Sequence, residues 1–493
     1  MNLARLASAA GLAAGAHGDD MVTGFAIDHR KVAPGTVFGA FQGAVVNGED
    51  FIPAAVAGGA IAVVARPEVR VEGADHLSDP VPRRAFARLA AQFFRPVPET
   101  VVAVTGTNGK TSTVEMTRQI WRLAGERAAS IGTLGVTTPD ESVSTGLTTP
   151  DIVTFLANMT GLAREGVTHV AYEASSHGLS QYRNEGLPVA AGAFTNLSRD
   201  HLDYHADMDA YFAAKMRLFA EVVADGGTAV VWADDAWSDR AIAAARARGL
   251  ATFTVGERGA EDSGGIRMVS RRPGHLGQEL ELEHAGTRRM VALPLIGAYQ
   301  AANALVAAGL AIATGSAPGQ VFDALARLQP VRGRLERAAI TAAGAPVYVD
   351  YAHTPDALAA AIAALRPHCE GRLIVVFGAG GDRDQGKRPA MGRIAAEQAD
   401  LAIVTDDNPR GEDPAAIRRQ VLAGAPGATE IGDRRAAIRA AIADAGRGDL
   451  VLIAGKGHEQ GQIIGEGETM RVLPFDDVTV ARACAAELAG AAR

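Results

Sequence analysis

The chain has 493 residues, 48 basic against 56 acidic for a formal net charge of −8, and 48% hydrophobic content. At roughly 100 to 200 residues per domain this length implies about three domains, and no apolar run approaches the ~18 residues of a membrane span. The acidic balance without a basic block argues against a nucleic-acid partner, and Cys369 and Cys484, the only cysteines, are too few for a disulfide framework or a structural zinc site, so a reducing cytoplasm is expected.

In chain order, the Ala/Leu run within Met1 to His17 follows Arg5 as a signal peptide's would, but Leu3, Leu6, Ala10 and Leu12 also make an ordinary first helix, which is the reading preferred here. Residues 1–95 hold short strand-like runs, Phe25-Ala-Ile27, Thr36-Val-Phe38 and Ala60-Ile-Ala-Val-Val64, without a catalytic constellation. They read as a binding module, closed by a linker at Arg95-Pro-Val-Pro-Glu99.

Val101-Val-Ala-Val-Thr-Gly-Thr-Asn-Gly-Lys-Thr-Ser112 follows. Four apolar residues of a buried strand lead through a glycine-bracketed turn into a helix with Val114, Thr117, Trp121 and Ala124 at helical spacing. This is a phosphate cradle: glycine admits close backbone approach, the helix N-terminus adds partial positive charge, Lys110 adds a full one, and the Thr111 hydroxyl suits a phosphate-bound Mg²⁺. The spacing departs from the standard P-loop, which would need glycine where Val104 stands.

From there to about Gln329 strands and helices alternate, the pattern of a mostly parallel sheet with helices on both faces. His169-Val-Ala-Tyr-Glu173 ends in a carboxylate, and Ala193-Phe-Thr-Asn196 leads toward His201. Ligands of open α/β sheets gather at the carboxyl ends of strands, so Glu173 and His201 are expected near the phosphate loop, although either alone is more often a surface or structural group. Lys215 lies on a helix expected over 207–222 with Tyr211, Phe212, Leu218 and Phe219 around it. Its amine either snorkels to water or is desolvated, and a desolvated neutral amine accepts CO₂ to become an anionic carbamate. Asn303, in an Ala-rich helix headed by Leu295-Ile-Gly-Ala-Tyr, offers an amide edge to a base or merely begins a polar turn.

After Pro330 four more strands end in charged, glycine-rich loops: Val347-Tyr-Val-Asp350, Leu373-Ile-Val-Val-Phe377, Leu401-Ala-Ile-Val-Thr405 and Leu450-Val-Leu-Ile453. Four such loops, carrying arginines and a Lys/His/Glu set, favour a second ligand-binding edge.

Together these residues resemble the Mur ligase family of peptidoglycan and cell-wall synthesis, and within it the branch that adds diaminopimelate. The resemblance implies an α/β fold of three domains: a small UDP-sugar-binding domain over 1–95, a central ATP-binding domain with a mostly parallel sheet over 96–330, and a Rossmann-like amino-acid-binding domain over 331–493. Gly106, Thr107, Asn108, Gly109, Lys110, Thr111 and Ser112 correspond to the family's ATP loop, with Asn303 and Arg334 as further nucleotide contacts. Thr111, Glu173, His201 and Lys215 match positions tied to two Mg²⁺ ions, Lys215 as a CO₂-derived carbamate; Lys110, Lys215 and His201 are the implied catalytic groups. Asp28, Arg30, Thr148, Thr149, Ser175, Gln181 and Arg183 match contacts to UDP-N-acetylmuramoyl-L-alanyl-D-glutamate. Arg383, Asp407, Asn408, Pro409, Arg410, Gly455 and Glu459 match the pocket for meso-2,6-diaminopimelate. One departure is His29, where the family commonly has serine between the aspartate and the arginine.

The implied reaction joins an amine to the D-glutamyl γ-carboxylate through an acyl phosphate made from ATP, in a monomeric cytoplasmic enzyme without membrane or nucleic-acid partners. Rivals are a lysine-adding or folate-glutamate-adding relative, a P-loop kinase, which leaves the four C-terminal loops unexplained, and a nucleotide switch, whose Asn-Lys-x-Asp is not found in the chain.

Overall fold

The computed structural model describes residues 1–493 apart from 44–45, 139, 144–147, 202–203, 260–263, 275, 383–384 and 492–493. The chain forms two compact units, Met1–Arg267 with His284–Thr287 and Asn303–Ala324, and Met268–Glu283 with Arg288–Ala302 and Leu325–Arg493. No helix among the described residues is long and apolar enough to cross a membrane.

In the first unit the Ala/Leu run near the start becomes the helix Leu3–Ala9, begun by the Asn2 side chain accepting the Arg5 N–H at 3.1 Å. Four parallel strands, Gly24–Ala26, Thr36–Gly39, Ala60–Ala65 and Asp75–Ser78, then lie side by side in chain order. The last carries no apolar run that would announce it. Its buried Asp75 accepts N–H bonds from Gly15 at 2.6 Å and His17 at 3.1 Å.

A larger sheet follows, in the order Ala251–Gly256, Val223–Trp232, Val189–Phe194, Thr100–Thr105, His169–Glu173, Ala128–Gly132, Gly135–Thr137, Ser142–Val143. Among these eight strands it is parallel through Ala128–Gly132 and antiparallel at the last two. Thr100–Thr105 is flanked on both sides, and Val101 to Val104 are fully buried. A strand covered on both faces needs apolar side chains at consecutive positions, which is why this one reads as an unbroken run. Parallel pairing brings the carboxyl ends at Thr105, Glu173 and Phe194 to one edge of the sheet.

The second unit has a six-stranded sheet in the order Glu336–Ile340, Pro346–Asp350, Leu450–Ala454, Leu373–Phe377, Leu401–Val404, Thr429–Glu430, antiparallel only at the first pair. Alternate residues serve opposite faces. Tyr348, Leu452, Val375 and Phe377 join one core with the helices Pro355–Leu365 and Lys387–Gln398, while Val349, Ile453, Ile374 and Val376 join another with Arg434–Asp444 and Asp477–Ala491. The four strands expected from the sequence are neighbours, so their loops share one edge.

Candidate functional site

The phosphate loop leaves Thr105 through Gly106 at φ +144° and enters the helix Lys110–Leu123 through Gly109 at φ +86°. Both glycines are required by geometry. A Cβ at Gly106 would stand 1.9 Å from Thr195 Oγ1, and one at Gly109 2.2 Å from Asn303 Oδ1. Asn303 is thereby placed against the loop itself. The Thr107 and Asn108 N–H groups donate to the backbone carbonyl and side-chain oxygen of Asn196 at 2.9 and 3.0 Å. The helix's own first turn, whose N–H groups have no intrahelical acceptors, is the kind of helix N-terminus that suits an anion. Thr111 and Ser112 are buried there.

Lys110 Nζ turns back to donate to the carbonyls of Gly106 at 3.0 Å and Thr107 at 2.8 Å. Lys215 Nζ, 1% exposed, donates to the same Gly106 carbonyl at 2.7 Å. Of the two fates open to Lys215, burial is the one realised. Desolvation, reinforced by the Lys110 charge, holds its amine well below the usual lysine range. The helix carrying it starts at Met208 with Asp207 as N-cap and is α-helical to Arg217, after which 218–222 widen into a π turn. Tyr211 packs its ring 4.3 Å from Lys215 Nζ and brings its hydroxyl within 3.2 Å of Thr107 Oγ1. His201, in the left-handed region at φ +53°, lies with its ring centroid 6.1 Å from that of Tyr211 and 4.9 Å from that of His177.

Glu173, 2% exposed at the end of its strand, accepts the Thr133 N–H at 2.7 Å and approaches so closely that a Cβ on Gly132 would lie 2.2 Å from its Oε1. Beside it the expected sugar-dipeptide residues form one network. Thr148 Oγ1 is 3.0 Å from Thr133 Oγ1. Thr149 Oγ1 bonds to the Glu173 carbonyl at 2.9 Å and to Ser175 Oγ at 3.0 Å. Arg183 donates to the Thr149 carbonyl at 2.8 Å and to Gln181 Oε1 at 2.7 Å. Asp28 and Arg30, by contrast, pair with each other at 2.8 Å; that bond and the Arg30 N–H hold the Asp28 carboxyl down at about 2. His29 stacks flat on Phe51 with ring centroids 4.4 Å apart, so the departure at this position supplies a packing contact.

In the second unit Arg410 is the pivot. It is held at φ +51° with its N–H donating to the Ile463 carbonyl at 3.0 Å, its carbonyl accepting from Gly465 N–H at 2.7 Å, and Nη1 donating to the Gly381 carbonyl at 2.8 Å. Pro409 closes against the neighbouring loop, where a Cβ on Gly381 would meet its carbonyl. Asp407 sits over Gly455, φ +123°, where a Cβ would lie 2.6 Å from its Oδ2, and Asn408 Nδ2 donates to Glu459 Oε2 at 2.8 Å. Thus Asp407, Asn408, Pro409, Arg410, Gly455 and Glu459 come together, while Arg383 lies outside the described residues. Arg334 also belongs to this unit: its guanidinium lies 4.6 Å over the Tyr351 ring, and the ring of Tyr351 contacts His353 and His458. Burial beside Arg334 pushes His458 down to about 4.

Family models for the Mur ligase middle domain and the Mur ligase glutamate ligase domain match residues 104–311 and 333–457. A Zymomonas mobilis protein named UDP-N-acetylmuramoyl-L-alanyl-D-glutamate--2,6-diaminopimelate ligase is 62% identical over 464 residues, 94% of this chain and 95% of that one. The chain belongs to the Mur ligase family. A Bradyrhizobium diazoefficiens relative of the same name is 54% identical over 95% of this chain and 96% of its own length. A solved structure of a ligase with that name superposes with a TM-score of 0.73 at 33% identity, covering 96% of both chains.

Two residues of this Mur ligase were missed by sequence reasoning. Tyr211 was counted only as apolar flank, yet it connects the phosphate loop to Lys215. Arg83, in the helix Pro82–Phe93, donates to the Gln42 carbonyl at 3.1 Å; burial and then the positive charge of Arg183 lower its pKa. Its position among Arg84 and Arg88 disguises it as part of a solvated basic face, and no local signal marks it.

Proposed function

We propose that this chain is an ATP-dependent, ADP- and phosphate-forming ligase that adds meso-2,6-diaminopimelate to the D-glutamate of UDP-N-acetylmuramoyl-L-alanyl-D-glutamate in peptidoglycan precursor synthesis. The carrying observation is the convergence of Lys110 and the buried Lys215 on the Gly106 carbonyl, which sets one cationic lysine and one desolvated lysine at the same phosphate loop. Near-full-length identity to relatives named for that reaction supports the same reading. A carboxylate is too poor an acylating agent to react with an amine directly. Transfer of the γ-phosphoryl group of ATP to the D-glutamyl γ-carboxylate gives an acyl phosphate and ADP; the diaminopimelate amine then adds to the acyl carbon, phosphate leaves, and the amine's proton is lost.

Lys110 and the first turn of its helix hold the phosphates and offset the charge that develops on them. The residues that would hold Mg²⁺ are Thr111, Glu173, His201 and Lys215. The depressed amine of Lys215 fits a carbamate, formed when its neutral nitrogen bonds to the carbon of CO₂ and sheds a proton, and with that group the donor set becomes oxygen-rich, as hard divalent cations prefer. Bound metal supplies charge neutralisation on the phosphate oxygens. Thr148, Thr149, Ser175, Gln181 and Arg183, with Asp28 and Arg30, bind and orient the UDP-muramoyl dipeptide; the loops around Arg410 bind diaminopimelate. We assign 1–95, 96–330 and 331–493 to the sugar-nucleotide, ATP and amino-acid domains of a cytoplasmic monomer.

The test is phosphate release in the presence of ATP and Mg²⁺. It should require the muramoyl dipeptide and meso-diaminopimelate together. Release with ATP and either one alone, or full activity with lysine or a folate substrate, would refute the assignment.

A further inference from the structure

We infer that Lys456 is a positioning residue for amino-acid recognition: it fixes the orientation of Asn408 and Glu459 from behind the pocket without touching the amino acid. This rests on the functional reading above, in which Asp407, Asn408 and Glu459 line the diaminopimelate pocket.

Lys456 lies two residues beyond the strand Leu450–Ala454, and its side chain is fully buried. A buried ammonium needs partners for its three donors and its charge. Here Nζ donates to Asn408 Oδ1 and to the Gly461 carbonyl, both at 2.7 Å, and stands 3.5 Å from Asp407 Oδ1 and 3.7 Å from Glu459 Oε2. The consequence for Asn408 is definite. Its Oδ1 accepts from both Lys456 and the Ile463 N–H at 3.0 Å, so its amide cannot turn over without setting an NH₂ against an ammonium and a second N–H. In the one orientation left, Nδ2 points at Glu459 Oε2 at 2.8 Å. One oxygen of Glu459 is thereby tied toward the interior, and the carboxylate is presented to the pocket in a single pose.

The charge balance points the same way. Asp407 and Glu459 both carry carboxylates toward Lys456, and the other buried cation nearby, Arg434, is bonded through Nε and Nη2 to the two oxygens of Asp477 at 2.7 Å. Lys456 cancels one of the two negative charges. The remaining one complements the α-ammonium of an incoming amino acid. Without Lys456 the two carboxylates repel, one takes up a proton, and Asn408 loses the donor that fixes it, so the ammonium acceptor of the pocket is lost together with its pose.

Lys456→Met keeps the volume and removes both charge and donors, whereas Lys456→Gln keeps an N–H donor without charge. Steady-state kinetics of the full chain with all three substrates varied in turn should show the KM for meso-diaminopimelate raised about tenfold or more in Lys456→Met, the loss of about one hydrogen bond to a charged group. The KM values for ATP and for the muramoyl dipeptide, and kcat, should stay within about twofold, and Lys456→Gln should fall between wild type and Met. A merely structural lysine would instead shift all three KM values or kcat together. An unchanged diaminopimelate KM, a uniform shift, or failure of both variants to fold would each overturn the inference. Failure of the wild-type chain to use diaminopimelate would overturn the functional reading, and that is seen before any variant is made.

Discussion

Replacing Lys215 separates its role at the phosphate loop from any role in holding the fold. The amine is buried with a neutral carbonyl and an aromatic ring as partners, and that carbonyl, Gly106 O, also accepts from Lys110. Lys215→Met therefore leaves no backbone acceptor stranded and removes a desolvated polar amine, so the melting temperature should stay level or rise. Activity should collapse. Losing the unit charge of the proposed carbamate at ~4 Å from its partner and an effective dielectric of ~20 is worth about 4 kcal/mol, or about 10³-fold in kcat. The assay is phosphate release at saturating substrates, with thermal unfolding measured on the same preparations. Lys215→Ala, which opens space beside Gly106, should regain part of its activity in formate or acetate, because a small carboxylate can stand where the carbamate would. A fully active Lys215→Met or Lys215→Ala would refute the argument. Loss of activity that merely tracks a fall in melting temperature would show the residue to be a structural one.

Arg410→Ala should lower kcat/KM for meso-diaminopimelate by about 10- to 100-fold, the value of a charge-assisted pair, and narrow its advantage over lysine, since the two amino acids differ by the far-end carboxylate that a guanidinium can grip; wild-type preference for lysine, or unchanged diaminopimelate use in the variant, would refute the role. Gly109→Ala forces a side chain into φ +86° at about 1–2 kcal/mol and against Asn303, so the KM for ATP should rise about tenfold while that for diaminopimelate does not. Glu185, buried with Oε2 lacking a hydrogen bond, has its carboxyl pushed up by desolvation. The folded state therefore holds its proton longer than the unfolded one, and stability falls as pH rises above the ordinary value of 4.5 through the folded one. Glu185→Gln should stabilise the chain by about 1 kcal/mol at neutral pH, and the gain should vanish toward pH 4.5, as read by thermal unfolding across that range; Arg88 is half exposed and Arg217 keeps Glu221 at 2.7 Å, so neither is left bare.

What could be read in advance was whatever a run of neighbouring residues encodes. Val101 to Val104 announce a strand buried on both faces, and the four C-terminal runs announce strands because each is apolar and stops at a glycine or a charge. The apolar stripe around Lys215 correctly narrowed its amine to two fates. Long-range placement is different. Lys215 meets Gly106 across 109 positions of chain, and only the sheet order, with Val189–Phe194 beside Thr100–Thr105, brings them together. Asp75–Ser78 escaped because its stabilisation comes from Asp75 binding two distant N–H groups, which no period-two pattern records.

Arg410 shows how the two kinds of information combine. Its identity and the Pro409 before it are local, and they suggest a cation on a stiffened loop. Its conformation is not local: φ +51° is unfavourable for arginine, and nothing within 407–410 supplies the compensation. That comes from 463 and 465, which bracket its peptide with two backbone hydrogen bonds, and from Gly381, which accepts from its guanidinium. The contributing segments come after three neighbouring strands of the sheet, Leu401–Val404, Leu373–Phe377 and Leu450–Ala454, with 463 in the short strand Gly461–Ile464. A loop following any one strand would leave the arginine free to swing. Three segments meeting at one sheet edge hold it in a conformation it would not choose alone, the rigidity that the proposed discrimination between two similar amino acids asks of its cation.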